Sequence, residues 1–268
     1  MFDYQHYLRT DKLPLIWCPG CGHGIVMKSM IRAIENNSLS KDNVCIVSGI
    51  GCSGRLTGYV DFNTLHTTHG RALAFATGIK MANPDLHIIV VTGDGDAASI
   101  GGNHLIHAAR RNIDITVLLF NNQIYGMTGG QVSPTTPHEA RASTAPFGSF
   151  EGHFDIPELT KAAGASFVAR GTAYNAVQLE KMIGKAIARK GFSLVEAMSP
   201  CPTTYGRRNK IGSGVKMLQC QKDETVPVRK AERMTEEELD GKIVTGIFVD
   251  RQRPEAREQY QKLIEQFI

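Results

Sequence analysis

The chain has 268 residues, 42% of them hydrophobic and 21% charged, with a formal net charge of +4. This is globular composition with length enough for a buried core, and with no basic run forming a stripe it excludes a nucleic-acid-binding protein. No stretch approaches the roughly 18 apolar residues that cross a bilayer, which excludes a helical membrane protein.

The first fourteen residues are polar, without the apolar core of a secretion signal, so the sequence reads as cytoplasmic. In a reducing compartment the six cysteines, Cys18, Cys21, Cys45, Cys52, Cys201 and Cys220, point to metal or catalysis rather than disulfides. The stretch "LIWCPGCGHG" (15–24) carries a C-x-x-C pair among glycines. Alone it fits a thioredoxin-type dithiol or half of a metal site. "GIVMKSMIRAIEN" (24–36) then puts Ile25, Met30, Ile31 and Ile34 on one helical face.

"NVCIVSGIG" (43–51), "LHIIVVTGDG" (86–95) and "DITVLLFNN" (114–122) lack polar alternation, as strands buried on both faces do. Helices are predicted over 70–82, 98–111 and 175–190, followed by the strand "FSLVEAMS" (192–199). The alternation predicts an α/β, doubly wound, mostly parallel sheet with ligands at the carboxyl ends of its strands. No periodic element is visible from Asn121 to about Asp155, and a connection that long is usually functional. Residues 1–212 read as one domain. Residues 213–268, more charged, read as a C-terminal extension with a strand (242–250) and a helix (254–268), packing on the domain or on a partner. The densest basic patch, "YGRRNK" (205–210), reads as a solvated loop or as a docking surface for an acidic partner.

"GIGCSG" (49–54) formally matches the dinucleotide fingerprint, but no Asp or Glu follows at 67–75, so a tight strand-end turn containing Cys52 is the better reading. "GDGD" (93–96) ends the most hydrophobic strand, and one α-β unit later the next strand ends in "NN" (121–122). Asp94 and Asn122 thus emerge at one sheet edge as hard oxygen donors suited to Mg²⁺ shared with a diphosphate. Gly93 and Gly95 allow close backbone approach, and a helix beginning after "GDGDAAS" adds N–H donors. Cys52 and Cys201 also follow strands, so Cys18, Cys21, Cys52 and Cys201 can converge. Four thiolates hold Zn²⁺ or an iron–sulfur cluster, and spacing alone does not separate the two. Cys45 reads as core, and Cys220 as no ligand.

The GDG…NN interval looks like the diphosphate-binding motif of thiamine-diphosphate enzymes. With "CPGCGHG", "GIGCSGR", "THGRALAFATGIKMANP" and "NNQIYGMTGGQVSPTT", the chain resembles the β subunit of 2-oxoacid:ferredoxin oxidoreductases from about Ile16 to about Gly206, and "YGMTGGQ" is most similar to the 2-oxoglutarate branch. The resemblance implies thiamine diphosphate lined by Ile50, Gly51, Cys52, Ser53, His69, Gly95, Asp96, Gly126 and Met127. It implies Mg²⁺ held by Asp94, Asn122 and the Ile124 carbonyl. It also implies a [4Fe–4S] cluster on the four converging cysteines, and the chemistry agrees: oxidative decarboxylation releases two electrons, ferredoxin accepts them singly, and zinc has no redox chemistry.

The implied activity is CoA-dependent conversion of 2-oxoglutarate to succinyl-CoA and CO₂, with electrons passing to ferredoxin. The alternatives are pyruvate or another 2-oxo acid as substrate, or a zinc-stabilised diphosphate-binding subunit without turnover. Arg55, just past "GCSG", is the candidate clamp for the substrate C1 carboxylate, with Arg71 of similar standing; each also reads as a structural arginine. The carboxylate that activates thiamine is implied to come from a separate α subunit, in an αβ or (αβ)₂ assembly. Glu139 is the one nearby glutamate and is not favoured for that role.

Overall fold

The unbroken aliphatic runs form the interior strands of one eight-stranded sheet. In the computed structural model, which describes residues 2–267, the chain runs through α1 (His23–Asn36), β1 (Val44–Ser48), β2 (Asn63–His66), α2 (Ala72–Ala82), β3 (His87–Gly93), α3 (Asp94–Ala98), α4 (Gly102–Arg111) and β4 (Thr116–Asn121). After a long loop come α5 (Ile156–Ala162), β5 (Phe167–Thr172), α6 (Ala176–Ala188) and β6 (Ser193–Met198). The rest comprises α7 (Gly214–Glu224), β7 (Thr225–Pro227), α8 (Val228–Ala231), α9 (Glu236–Leu239), β8 (Ile243–Asp250) and α10 (Ala256–Ile264). The spatial order is β2-β1-β3-β4-β6-β5-β8-β7, and every neighbouring pair is parallel except β5 with β8.

Alternate residues of each inner strand enter different cores, the two-residue period of a strand covered on both faces. Ile89, Val91, Leu118 and Phe120 pack with Met30, Ile31 and Ile34 of α1 and Leu179 and Ile183 of α6. Ile88, Val90, Val117 and Leu119 pack with Leu73 and Ala76 of α2 and Leu105 and Ala109 of α4. The sheet is therefore doubly wound, as the alternation of elements predicts.

One helix expectation needs correction. The helix expected over 98–111 begins only at Gly102, because Ser99 leaves helical geometry (φ −86°, ψ −104°). The break seats the turn at Gly70, where an added Cβ would lie 2.4 Å from Ile100 Cγ2. A helix, α4, follows "GDGDAAS" as expected, and an additional short helix, α3, begins at Asp94, so its first-turn N–H groups belong to the motif.

The sequence-predicted 242–250 strand is β8, which adds to the main sheet antiparallel to β5. On β5, Arg170 pairs with the fully buried Glu196 of β6 and lies 3.0 Å from Asp155. The other Glu196 oxygen accepts from Asn121 Nδ2 at 2.8 Å. A buried pair of this kind offsets its desolvation only with its remaining lone pairs satisfied, and here they help anchor the end of β4, where the site begins. Among the described residues no helix is long and apolar enough to cross a membrane.

Candidate functional site

Four parallel strands release their chains at one sheet edge: β1 into Gly49–Cys52, β3 into Asp94–Asp96, β4 into Asn122–Thr128 and β6 into Ser199–Cys201. One pocket opens between the first three segments. It is lined by Ile50, Gly51, Cys52, Ser53, His69, Asp94, Gly95, Asp96, Asn122, Ile124, Gly126 and Met127. These are all the residues expected around the cofactor and the Mg²⁺. Gly93, read from the sequence as allowing close backbone approach, is in the wall as well, and His23, Phe120, Tyr125 and Thr128, which were not expected there, complete it.

Asp94 is 3% exposed and enters no ion pair among the described residues. Burial raises its carboxyl pKa, against the opposing hydrogen bonds of Ser133 and Thr135. Both hydroxyls donate to Oδ2, each at 2.6 Å. Thr136 ties the same turn down by donating to the Gln123 carbonyl at 2.7 Å. The long loop thus folds "SPTT" back onto the GDGD motif. A buried carboxylate with neutral donors and no cation is a fit for a divalent ion. Asn122, 9% exposed, accepts from the Ile124 N–H at 3.3 Å, which folds the backbone so that Asn122 and Ile124 share the pocket wall.

Asp96 organises the opposite wall. Its Oδ1 accepts from His69 Nδ1 at 2.5 Å, from the Gly70 N–H at 2.7 Å and from the Ile50 N–H at 3.3 Å, and its Oδ2 accepts from Thr92 at 2.7 Å. With Nδ1 engaged, Nε2 is the His69 nitrogen left for the pocket. Two glycines are required by contact: a Cβ on Gly49 would lie 1.9 Å from Asp96 Oδ2, and one on Gly95 would lie 2.3 Å from the Tyr125 ring.

The six cysteines differ in exposure and surroundings. Cys18 is exposed, while Cys21, Cys52 and Cys201 are half-buried. A Cβ on Gly126 would lie 3.6 Å from Cys52 Sγ and 3.7 Å from Cys201 Sγ, so a residue of the pocket wall adjoins both sulfurs. Burial pushes the Cys21 thiol up to about 12 and the Cys52 thiol to about 11, with the neighbouring cysteines adding to both shifts. Thiols that raise one another's pKa ionise when a cation joins them. Among the described residues no three His, Cys, Asp or Glu side chains form a group that could hold a metal ion; the thiols converge without closing on one centre. Cys45 is buried in β1 and belongs to the core, and Cys220 lies along a separate cleft with Met198 and Glu224.

Behind the pocket, His23 is 1% exposed and burial lowers its pKa to about 4, so the ring is neutral near pH 7. Its Nδ1 lies 2.9 Å from Ser199 Oγ. The cue was in "CGHG", but nothing in the spacing distinguished it from a core histidine. Trp17 Nε1 donates to the Cys52 carbonyl at 2.7 Å.

Three expected or weighed residues stand elsewhere. Arg55 is exposed on a 3-10 turn (Ser53–Gly58) and does not line the pocket. Arg71 caps α2 and donates to the Ile100 carbonyl at 2.8 Å, a structural role. Glu139 is exposed in the loop with φ of 62°.

A family model described as "Thiamine pyrophosphate enzyme, C-terminal TPP binding domain" matches residues 49–197. The chain is 52% identical over 263 residues to the 2-oxoglutarate synthase subunit KorB of Methanothermobacter marburgensis, covering 98% of this chain and 92% of that one. It is 53% identical over 259 residues to the KorB subunit of Methanocaldococcus jannaschii, covering 97% and 96%. Among solved structures it is similar to a 2-oxoglutarate:ferredoxin oxidoreductase from Magnetococcus marinus with 2-oxoglutarate, coenzyme A and succinyl-CoA bound, with a TM-score of 0.88 and 32% identity over 99% of this chain and 91% of that chain.

Proposed function

The chain belongs to the thiamine-diphosphate-binding β subunits of the 2-oxoacid:ferredoxin oxidoreductases, in the 2-oxoglutarate branch, and on that premise we propose how its residues divide the reaction. The overall conversion is 2-oxoglutarate, CoA and two oxidised ferredoxins to succinyl-CoA, CO₂, a proton and two reduced ferredoxins. The observation that carries the reading is Cys52, which lines the pocket of the GDGD and NN motifs and also faces the other cysteines.

In this reading Asp94, Asn122 and the Ile124 carbonyl hold Mg²⁺ against the diphosphate, and Asp94 supplies the negative charge. Ile50 to Ser53, His69, Gly95, Asp96, Gly126 and Met127 contact the cofactor, with Asp96 fixing the His69 ring. Cys18, Cys21, Cys52 and Cys201 hold a [4Fe–4S] cluster, which spans a wider group of thiols than a single zinc with Zn–S of about 2.3 Å. When bound, thiamine diphosphate supplies the chemistry that breaks the C1–C2 bond of the 2-oxo acid, and the cluster relays the two electrons singly. Gly126 carries no side chain between the pocket and the Cys52 and Cys201 sulfurs, keeping that passage short. The α subunit contributes the activating glutamate in an αβ or (αβ)₂ assembly, and the complex is cytoplasmic.

Anaerobic co-expression with the α subunit tests the reading. The complex should be brown and should reduce ferredoxin fastest with 2-oxoglutarate among several 2-oxo acids. A colourless, zinc-bearing complex would overturn the cluster assignment, and preference for pyruvate the substrate.

Arg55 is proposed as the cation that receives the substrate C1 carboxylate. Because it is exposed in this chain, the loss on truncation is set at about 1.5–3 kcal/mol, the worth of a hydrogen bond to a charged group, or roughly ten- to hundredfold in kcat/KM. Arg55→Ala should show this loss with normal thiamine and iron content, and Arg55→Lys should recover part of it, lacking the guanidinium fork. Unchanged kcat/KM in Arg55→Ala would assign the carboxylate to other residues.

A further inference from the structure

Ser133 and Thr135 do more for the GDGD motif than close a loop over it. Resting on the reading of Asp94 as a Mg²⁺ ligand, we propose that their hydroxyls form a clamp that limits Asp94 to one coordinating oxygen and so selects Mg²⁺ over Ca²⁺. Both hydroxyl protons go to the same atom, Asp94 Oδ2, each at 2.6 Å. A carboxylate oxygen offers two lone pairs in its plane. Those of Oδ2 are therefore taken, and Oδ1 is the oxygen left for a cation.

The clamp is held from behind. Ser133 and Thr135 are each 3% exposed and Thr136 2%, so solvent does not compete for their protons. The Ser133 N–H donates to Thr136 Oγ1 at 2.8 Å, and Thr136 Oγ1 donates to the Gln123 carbonyl at 2.7 Å. Thr135 Oγ1 also lies 3.1 Å from Asn121 Oδ1. Its single proton goes to Asp94, the nearer acceptor and the charged one. The Asn121 amide is itself fixed on both sides. Its Oδ1 accepts from the Gln123 N–H at 3.0 Å, and its Nδ2 donates to the fully buried Glu196 at 2.8 Å. Glu196 is paired with Arg170 in turn. The setting of the Asp94 carboxylate thus rests on a polar chain that runs through the loop and the end of β4 to β6 and β5.

The two cations ask different things of a carboxylate. Ca²⁺ takes about six to eight oxygens in adaptable geometry and accepts both oxygens of one carboxylate, whereas Mg²⁺ demands a near-octahedral set at shorter distances. An Oδ2 saturated by hydroxyls suits Mg²⁺ and obstructs Ca²⁺. Freeing Oδ2 would let Asp94 offer two oxygens, from which Ca²⁺ gains and Mg²⁺ does not. Neither Ser133 nor Thr135 lines the pocket; they are positioning residues that act on the ion through Asp94.

The test uses the full complex with its α subunit, purified anaerobically, stripped of divalent cations with a chelator and supplied with saturating thiamine diphosphate. Mg²⁺ and Ca²⁺ are titrated separately by calorimetry into the unsubstituted complex, Ser133→Ala, Thr135→Val, the double variant and Thr135→Ser. The unsubstituted complex should bind Mg²⁺ the more tightly. In the double variant the ratio of Mg²⁺ to Ca²⁺ affinity should fall by about tenfold or more, the worth of a hydrogen bond to a charged group. The single variants should lie between, and Thr135→Ser, which keeps the hydroxyl, should keep the original ratio. Loss of a mere loop anchor weakens both cations alike, so an unchanged ratio in Ser133→Ala and Thr135→Val would overturn the proposal, whether or not the double variant assembles. Equal affinity for the two cations in the unsubstituted complex would overturn it as well, and so would a Thr135→Ser ratio matching that of Thr135→Val. Binding of neither cation by the unsubstituted complex would instead count against the metal reading itself.

Discussion

Asp94→Ala is expected to lower Mg²⁺-dependent thiamine diphosphate affinity by at least about a hundredfold, or about 2.7 kcal/mol. Its carboxylate is buried with neutral donors, Ser133 and Thr135 among them, whereas the other pocket carboxylate, Asp96, is engaged by His69, Gly70, Ile50 and Thr92. Removing the Asp94 carboxylate also strips Ser133 and Thr135 of their common acceptor, which loosens the turn that seals the motif. Asp94→Asn separates these effects, since the amide oxygen can still accept from the hydroxyls while the charge is gone. Both variants should lose the cofactor, and Asp94→Asn should keep the fold by circular dichroism. Asn122→Ala, which deletes a neutral ligand, should cost about tenfold, or about 1.4 kcal/mol. Calorimetric titration of the assembled complex measures all three, and wild-type affinity in Asp94→Asn would remove Asp94 from the metal site.

Single replacement of Cys18, Cys21, Cys52 or Cys201 by Ser is expected to abolish ferredoxin reduction and to lower iron and sulfide well below those of the unsubstituted complex. Serine keeps the volume but replaces a soft thiolate by a hydroxyl that ionises far less readily. The controls are internal. Cys45 points into the core between β1 and α2, and Cys220 lines a different cleft, so Cys45→Ser and Cys220→Ser should retain iron. Cys52→Ser carries a further expectation, because that residue also lines the thiamine pocket: it alone of the four should weaken cofactor binding along with the cluster. Iron loss at Cys220 with retention at Cys201 would reassign the fourth ligand.

The inner strands β1, β3 and β4 were legible because β-branched and leucine runs without charge have few alternatives. β2 was not: "NTLH" is four residues at the sheet edge, half-exposed and polar. β5 was hidden by Arg170, a charge that reads as surface until β6 brings Glu196 alongside it. In the site, GDGD and NN could be joined because one α-β unit between two strand ends brings both to one edge. Ser133, Thr135 and Tyr125 could not, because they sit in a loop without periodicity and their contacts depend on its path. Arg55 shows what sequence adjacency leaves open. It follows Cys52 by three residues, yet the 3-10 turn that starts there carries it outward while Cys52 and Ser53 stay in the pocket wall.

Trp17 is the only tryptophan in the chain, and its indole is tied to the carbonyl of Cys52 while its ring lies 5.7 Å from His23 and 5.6 Å from Tyr59, centroid to centroid. The tryptophan fluorescence contributed by this subunit therefore comes from a single spot, at the seam between the cofactor pocket and the sulfur group. An iron–sulfur chromophore formed there absorbs across the tryptophan emission band and quenches it at short range. On the proposed cluster assignment the subunit would thus carry its own dye-free optical label, whose brightness would time the insertion or oxidative loss of the cluster.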